Sequence, residues 1–255
     1  MSHQLELIEG AEGYTLGEGP PAALFVHGFT SSPQNMRLMG DYLAERGIRV
    51  VAPLLPGHGT TWQDLNARDE NQWIHAVEEA YAKVSAEFEE IFLISLSFGT
   101  ALALDFAARN PGRVKGIVSI AGMVESRDPR RHLSPIIKRL VKSLPGVGND
   151  IADPDQREIV YDRLPTSAAD CVLRMIKRTR RELGDVTDPI LIMHSHNDHT
   201  VLPFNAELIH DNVASDDKEL VWFDRSYHVL TIDLDRDQVF RRTFEFIKKR
   251  SSHAL

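Results

Sequence analysis

The chain has 255 residues, 42% of them hydrophobic and 26% charged, and a formal net charge of −8 at pH 7. This length and composition predict one globular domain over residues 1–255, with room for an insertion, and argue against a disordered or fibrous chain. The acidic balance argues against nucleic-acid binding, which needs a strongly basic face, and no apolar run approaches the roughly 20 residues of a membrane-spanning helix.

The start of the chain and its cysteine content bear on its location. Residues 1–14 are polar and acidic without a continuous apolar core, so we predict neither a signal peptide nor a lipid-modified start. The single cysteine, Cys171, cannot form an internal disulfide, and we interpret it as a small buried apolar residue. A cytoplasmic location is therefore the default prediction.

Short apolar runs rich in β-formers alternate with segments of helical period along the chain. The runs are predicted strands, at residues 22–26, 48–52, 91–95, 114–120, 190–194 and 219–223. The predicted helices between them lie at residues 33–46, 71–88, 97–109, 204–212 and 238–249. This alternation predicts an α/β fold with a mostly parallel sheet flanked by helices on both faces.

The alternation stops after Gly122, and the distance to the next strand is too long for a plain connection. Residues 134–144 and 167–183 have the pattern of amphipathic helices and are separated by the Pro/Gly-rich residues 145–154. We predict that residues 123–187 form a small helical lid inserted into the domain. The second helix carries a basic cluster, interpreted as a solvated face, of Lys177, Arg178, Arg180 and Arg181.

Ser97 lies in a tight turn between a buried strand and a helix. A strand that turns straight into a helix lifts the serine hydroxyl clear of the sheet and needs small residues two positions away on each side. Gly99 meets this need on one side, and Ser95 stands on the other, where the usual G-x-S-x-G pattern has glycine. Ser97 is therefore a candidate nucleophile, although S-x-S-x-G also arises by chance around a structural serine or a helix cap.

A glycine-containing loop, HGFT at residues 27–30, follows the first predicted strand, at the sheet edge where ligands gather in open α/β folds. An acyl-transfer site must donate hydrogen bonds to an oxygen that becomes negative, and backbone N–H groups usually supply them. The candidate donors of such an oxyanion hole are the amides of Phe29 and Phe98, the latter directly after Ser97. We interpret His27 as a support of the loop that transfers no proton.

Asp198 and His228 follow two further predicted strands. Ser97, Asp198 and His228 thus come in the order nucleophile, acid and histidine, which is the order of the α/β-hydrolase fold. An imidazole with an ordinary pKa of about 6.5 can take the serine proton, and Asp198 would fix its tautomer and stabilise the imidazolium. Each residue has a structural explanation on its own, but their joint placement at strand ends predicts a catalytic triad.

In these motifs the chain resembles the carboxylesterase and monoacylglycerol lipase family of bacterial α/β-hydrolases. The resemblance covers most of the chain, and Ser95 is the one visible departure within the catalytic motifs. The resemblance implies a helical cap over an acyl pocket and no cofactor. It also implies hydrolysis of small-molecule esters with short or medium acyl chains, including monoacylglycerols. The matching stretches are HGFT at residues 27–30, LPGHGT at 55–60, the Ser97 turn, HNDHTV at 196–201 and SYHVLTID at 226–233.

One alternative is a zinc-dependent hydrolase that uses the pattern H-x-H-x-D-H, formed by His194, His196, Asp198 and His199. Such enzymes place this motif early and need further ligands on later strands, but only 56 residues follow His199. Of the later histidines, His210 falls in a helical pattern and His253 in a polar tail. The zinc alternative also leaves the Ser97 turn unexplained.

A ligand-binding module without catalysis is a second alternative, against which the complete triad argues. Within the enzymes, serine at position 97 indicates acyl transfer through a covalent acyl-enzyme. Thioesterase, lactonase and amidase activities on the same triad stay open.

Overall fold

The computed structural model describes residues 5–146 and 148–255. Residues 1–4 of the polar start and residue 147 of the Pro/Gly-rich stretch therefore lie outside the described residues. The main sheet has seven strands in the order β1-β3-β2-β4-β5-β8-β9, and all neighbours pair in parallel except β1, which is antiparallel to β3. These strands are β1 (Tyr14–Leu16), β2 (Ala22–Val26), β3 (Arg49–Ala52), β4 (Ile91–Leu96), β5 (Gly116–Ile120), β8 (Ile190–Ser195) and β9 (Lys218–Phe223).

Helices cover both faces of this sheet, which confirms the predicted α/β class. The helices are α1 (Arg37–Ala44), α2 (Trp62–Asn66), α3 (Glu70–Ser85), α4 (Phe98–Arg109), α5 (Ser134–Leu140), α6 (Thr166–Glu182), α7 (Phe204–Asn212) and α8 (Arg236–Arg250). Helix α3 begins where it does because the Asp69 side chain accepts from the amides of Asn71 and Gln72, while the Gln72 side chain accepts from the Asp69 amide.

The core has two layers, one on each side of the sheet. Successive residues of β4 are buried alternately on the two sides: Ile91 and Leu93 face α3 and α4, and Phe92 and Ile94 face the layer that contains α1 and α8. A parallel strand that is covered on both faces has a continuous run of apolar residues. This run is why the sequence locates β4 well.

The segment between β5 and β8 differs from the sequence prediction in a shorter first helix and in an additional pair of strands. The helix predicted at residues 134–144 ends at Leu140, because residues 143–145 form β6 (Ser143–Pro145), which pairs antiparallel with β7 (Arg163–Pro165). Helix α6 packs on α4, and the hydroxyl of Thr179 donates to the Ala101 carbonyl oxygen. Among the described residues, no helix combines the length and the hydropathy needed to cross a bilayer.

Candidate active site

Ser97 stands in a strained backbone conformation between β4 and α4. Its φ is 57° and its ψ is −123°, a region that costs a non-glycine residue about 1–3 kcal/mol. Backbone hydrogen bonds hold the turn in place. The Ser97 amide donates to the Ile120 carbonyl oxygen at 2.9 Å, and the Ser97 carbonyl oxygen accepts from the amides of Thr100 and Met123. These contacts fix the serine at the carboxyl end of the central strand.

The two neighbours that the turn requires to be small meet this demand in different ways. A Cβ on Gly99 would lie 2.1 Å from the Val26 carbonyl oxygen, so only glycine fits there. Ser95 fits because its hydroxyl has acceptors inside the sheet: it donates to the Val118 carbonyl oxygen at 3.0 Å and lies 3.1 Å from the Thr100 hydroxyl. The departure from the usual glycine is therefore accommodated by a buried hydrogen bond.

The structure brings Ser97, His228 and Asp198 together in one hydrogen-bonded chain. His228 Nε2 lies 3.0 Å from Ser97 Oγ, and His228 Nδ1 lies 2.8 Å from Asp198 Oδ2. Both the histidine and the carboxylate are buried. Three loops that follow β4, β8 and β9 thus converge at one edge of the sheet.

The Asp198 carboxylate has its full set of partners. Its Oδ1 accepts from the amides of Thr200 and Val201 at 2.9 and 2.7 Å, and its Oδ2 accepts from His228. Burial alone would raise the pKa of Asp198, but His228 and the hydrogen bonds from His194 and His228 hold it well below its ordinary value. The carboxylate therefore stays ionised at neutral pH.

His194 lies in a predicted strand, but the sequence did not predict its contact with Asp198. Its ring is fully buried, and Nε2 lies 2.8 Å from the Val201 carbonyl oxygen and 3.2 Å from Asp198 Oδ2. Both of these atoms accept hydrogen bonds, while His194 Nδ1 has no partner among the described residues. Nε2 therefore carries a hydrogen, which it donates to the Val201 carbonyl oxygen and towards the carboxylate. The signal was the H-x-H-x-D-H pattern, which the sequence analysis considered only as the donor set of the zinc alternative.

Asp150, in the segment between β5 and β8, holds the loop that carries His228. The Asp150 carbonyl oxygen accepts from the amides of His228 and Val229 at 3.0 and 3.3 Å. Its carboxylate accepts from the amide of His199, from the ring of His199 and from the hydroxyl of Thr200. One residue therefore joins the histidine loop to the loop that carries Asp198, and no local sequence pattern indicates this role.

Two further buried carboxylates, those of Asp233 and Asp235, accept hydrogen bonds from the loop that carries His228. Asp233 accepts from the amides of Tyr227, Ala152 and Asp153 at 2.7, 2.9 and 2.9 Å. Asp235 accepts from the amide and the hydroxyl of Ser226. Asp233 is the last residue of the matching motif SYHVLTID, and the motif alone does not indicate that its carboxylate accepts from backbone amides.

The pKa of His228 reflects this carboxylate-rich setting. Burial alone would lower it, but the negative charge of Asp198, with smaller contributions from Glu158 and Asp150, raises it above its ordinary value. The imidazole is therefore well suited to accept a proton from the Ser97 hydroxyl.

The loop at residues 27–30 approaches Ser97 closely. A Cβ on Gly28 would lie 3.3 Å from Ser97 Cβ. The His27 ring holds this loop, since Nε2 accepts from the Leu55 amide at 3.0 Å and Nδ1 donates to the Gly28 carbonyl oxygen at 2.9 Å. Burial lowers the pKa of His27 to about 4, so the ring is neutral in this position.

The amides of Phe29 and Phe98 are available as donors. In residues 5–146 and 148–255, neither donates a hydrogen bond to a protein acceptor. Phe98 is the first residue of α4, and the first N–H groups of a helix have no partner within it. The two side chains lie in edge-to-face contact, with ring centroids 6.0 Å apart.

A pocket of about 260 Å³ opens over Ser97 and His228. Much of its wall is apolar and comes from the segment between β5 and β8, through Met123, Ile137, Leu144, Val160, Leu164, Ala169, Val172 and Leu173. Its polar lining includes Ser31, Asn35 and Glu158, which are hydrogen-bonded to one another. Asn35 Oδ1 is buried and has no partner among the described residues, so it can accept one more hydrogen bond.

Of the four side chains of the H-x-H-x-D-H pattern, His194 and Asp198 contact each other, whereas His196 and His199 point to other partners. The His196 ring stacks on Trp222 with centroids 4.4 Å apart and bonds Asp224, while the His199 ring bonds Asp150. Across the residues that the structure describes, no three His, Cys, Asp or Glu side chains are placed to hold a metal ion. The zinc alternative therefore lacks a donor set.

Comparison with known proteins finds one matching family model and several similar enzymes. Residues 20–235 match the family model Hydrolase_4, described as serine aminopeptidase, S33. A thermostable monoacylglycerol lipase of Bacillus sp. is 34% identical over 98% of this chain and 100% of its own length. A carboxylesterase of Bacillus subtilis is 27% identical over 92% of this chain and 96% of its own length.

Solved structures show the same fold. A structure described as LipS and LipT, two metagenome-derived lipolytic enzymes, superposes with a TM-score of 0.93 at 32% identity, covering 96% of this chain and 100% of that one. A monoacylglycerol lipase of Paleococcus ferrophilus superposes with a TM-score of 0.78 at 17% identity, covering 94% and 100%, and supports the fold alone.

Proposed function

Because this chain belongs to the Hydrolase_4 family and is an esterase-type serine hydrolase of the α/β-hydrolase fold, we propose that Ser97, His228 and Asp198 are its catalytic triad. The single observation that carries this proposal is the continuous hydrogen-bonded chain from Ser97 Oγ through both ring nitrogens of His228 to Asp198 Oδ2. The proposed substrates are carboxylic esters with short or medium acyl chains, including monoacylglycerols.

In the first half-reaction, Ser97 Oγ attacks the carbonyl carbon of the ester while His228 Nε2 takes the hydroxyl proton. The carbonyl oxygen becomes negative and accepts from the free amides of Phe29 and Phe98. When the bond to the alcohol oxygen breaks, His228 returns its proton to that oxygen. The products are the free alcohol and an acyl group bound to Ser97.

In the second half-reaction, water replaces the alcohol. His228 Nε2 takes a proton from the water as its oxygen attacks the acyl carbon, and the same two amides stabilise the oxyanion. The proton then passes to Ser97 Oγ as the acyl bond breaks, which releases the carboxylic acid and restores the enzyme. Asp198 stabilises the imidazolium in both halves and stays ionised, as its lowered pKa requires.

The lining of the pocket supports the substrate class. Its apolar walls suit an acyl chain. The pocket volume of about 260 Å³ lies just below the usual range for ligand pockets, roughly 300–1,000 Å³, which favours short or medium chains. The polar cluster of Ser31, Asn35 and Glu158 lies close enough to His228 for the Glu158 charge to act on it. We propose that these groups hydrogen-bond the hydroxyl groups of the leaving alcohol, as glycerol would present them.

The inserted segment is proposed to act as the lid of this pocket. Its residues from Met123 to Leu173 contribute most of the apolar wall, so its position decides how much acyl chain the pocket accepts. We would measure kcat/KM for a series of esters with increasing acyl chain length. The chain length at which kcat/KM falls is the one at which the acyl chain meets this wall.

The test is Ser97→Ala assayed on p-nitrophenyl butyrate, with Ser85→Ala, an exposed helical serine far from the pocket, as the matched control. We expect kcat to fall by about 10⁶-fold in the first variant and to stay unchanged in the second. A fluorophosphonate should label Ser97 in the parent protein, and 1-monobutyrin should be hydrolysed. Parental activity of Ser97→Ala, or labelling of another serine, would contradict the proposed triad; faster cleavage of alanine p-nitroanilide than of the ester would replace the substrate class by amides.

A further inference from the structure

A second cavity, of about 610 Å³, lies between α6 and residues 124–135. Its size is within the usual range for sites that bind small organic molecules, roughly 300–1,000 Å³. Part of its lining is apolar: Val124 and Ile176 are buried, and Leu173 is half-buried. We call this cavity the α6 groove. It adjoins the acyl pocket, because four residues line both: Ser126, Arg131, Ser134 and Leu173.

The charged lining of the α6 groove is mostly positive although the whole chain is acidic. Five Lys or Arg and two acids, Glu125 and Asp170, line it, within a chain of net charge −8. A concave surface that combines charges of one sign with apolar walls focuses the electric field and concentrates ions of the opposite sign. The five cations are Arg131, Arg174, Lys177, Arg180 and Arg181.

Three of these cations already have acidic partners. Arg131 and Arg180 share the single carboxylate of Glu125, so this group of three side chains keeps a net positive charge. Arg174 pairs with Asp170 and with Glu70. Two members of the basic cluster that was predicted to be a solvated face are therefore paired: Arg180 here, and Arg178 with Asp105 outside the groove.

Lys177 and Arg181 are the two cations of the groove without a partner. Both side chains are exposed, and neither forms an ion pair or a hydrogen bond within residues 5–146 and 148–255. They stand four residues apart on α6, where like charges repel and destabilise a helix. The helix dipole favours Arg181, which lies in the last turn, but it does not reach Lys177 one turn earlier. A bound anion would replace this repulsion by attraction to both side chains.

We propose that the α6 groove binds a soluble anion with two linked phosphate groups on an organic body, of the class of a nucleoside diphosphate. Lys177 and Arg181 lie on successive turns, about 6 Å apart, so each donates to one phosphate of such a ligand. The groove is far larger than one inorganic ion requires, and the apolar side chains of Val124, Leu173 and Ile176 suit the organic body.

The test measures binding to the full-length Ser97→Ala protein by titration calorimetry, so its outcome does not depend on the proposed function. We expect ADP to bind at one site per chain, inorganic pyrophosphate to bind as well, and adenosine not to bind. Raising NaCl from 0.1 M to 1 M should weaken ADP binding by about ten-fold, because the Debye length falls from about 10 Å to about 3 Å. Equal binding of ADP and adenosine, or binding of neither phosphate compound, would overturn the proposal. So would binding to vesicles that contain phosphatidic acid without binding of ADP, since the cations would then serve a lipid headgroup.

Two variants in the same background locate the site and have opposite expected effects. Lys177→Gln with Arg181→Gln should weaken ADP binding by about ten-fold, since both unpaired cations are lost. Glu125→Gln should strengthen ADP binding by about five-fold, because it removes a competing carboxylate and frees Arg131 and Arg180. A variant that merely disturbed the structure would not strengthen binding.

The matched control is Lys83→Gln with Arg241→Gln, which also removes one exposed lysine and one exposed arginine without ion pairs in the described chain, but outside the groove. It should bind ADP like the parent, and thermal unfolding should show all variants folded. Equal weakening in the control and in the Lys177 and Arg181 variant would overturn the assignment of the site, as would weaker or unchanged binding in Glu125→Gln.

Discussion

Replacing Gly99 by alanine would move the loop at residues 27–30, which carries a proposed oxyanion donor. The new Cβ would lie 2.1 Å from the Val26 carbonyl oxygen and 2.6 Å from that of His27. Both atoms belong to the backbone, so the end of β2 and the base of α4 must separate by at least 0.9 Å to reach 3.0 Å, the shortest approach that real Cβ atoms make. Phe29, whose amide is a proposed oxyanion donor, follows His27 by two residues and must shift with it.

The size of the effect follows from this displacement. A misplacement of about 1 Å at a reacting centre costs roughly 10²-fold, and loss of one oxyanion donor costs about 10²–10³-fold in kcat. We therefore expect kcat of Gly99→Ala to fall by about 10²-fold with KM little changed, because the acyl pocket is not altered. Overpacking should also lower the free energy of unfolding by about 1–3 kcal/mol, which a domain stable by about 5–15 kcal/mol survives.

The assay is steady-state hydrolysis of p-nitrophenyl butyrate, with urea unfolding measured on the same samples. Gly184→Ala is the matched control, since no atom lies within 4 Å of its added Cβ. It should keep the parental kcat and stability. A kcat of Gly99→Ala within about three-fold of the parent would refute the argument that backbone spacing at this turn sets the rate, and an equal loss in the control would show that the effect is not local.

Three further predictions concern the buried hydrogen bonds of the site. His194→Phe removes a donor to the Asp198 carboxylate and should lower kcat about 10–100-fold at constant KM, while His194→Gln, which keeps an N–H, should recover part of it; equal kcat in both variants would contradict this. Because Asp198 raises the pKa of His228 and only the neutral ring accepts a proton, kcat/KM should fall as pH drops, with an acid-limb midpoint above 6.5; a midpoint below 6.5 would contradict it. Ser95→Gly should lower the free energy of unfolding by about 1–2 kcal/mol in urea, through the lost bond to the Val118 carbonyl and the freedom of glycine, and leave kcat unchanged; a gain in stability would contradict it.

The parts of the fold that the sequence predicts are those in which one physical demand governs many successive residues. Strands such as β4, buried on both faces, must be apolar throughout, and the tight turn at Ser97 must have small neighbours. The relative order of Ser97, Asp198 and His228 adds a constraint that no single motif carries. Six of the seven strands of the main sheet, the α/β class and the family were therefore predictable from these patterns.

The parts that escaped prediction are short or depend on distant partners. β1 has three residues and α2 has five, too few for a period to emerge. β6 exists only because β7 pairs with it about twenty residues later along the chain. In the same way His194 gains its partners from the turn after β8, and Asp150 contacts a loop far away in sequence, so neither shows its contacts in its local pattern.

Asp150 also limits how this protein could be reduced in size. Its carbonyl oxygen and carboxylate tie the inserted segment to both loops that carry His228 and Asp198, and Asp233 accepts from the two amides after residue 151. Excising residues 123–187 to obtain a bare sheet domain would therefore remove much of the apolar wall of the pocket. It would also remove the contacts that hold the loop of His228 in place. A minimal scaffold would have to keep residues 148–161, so engineering of the entrance is best confined to α5 and the short β6–β7 ribbon.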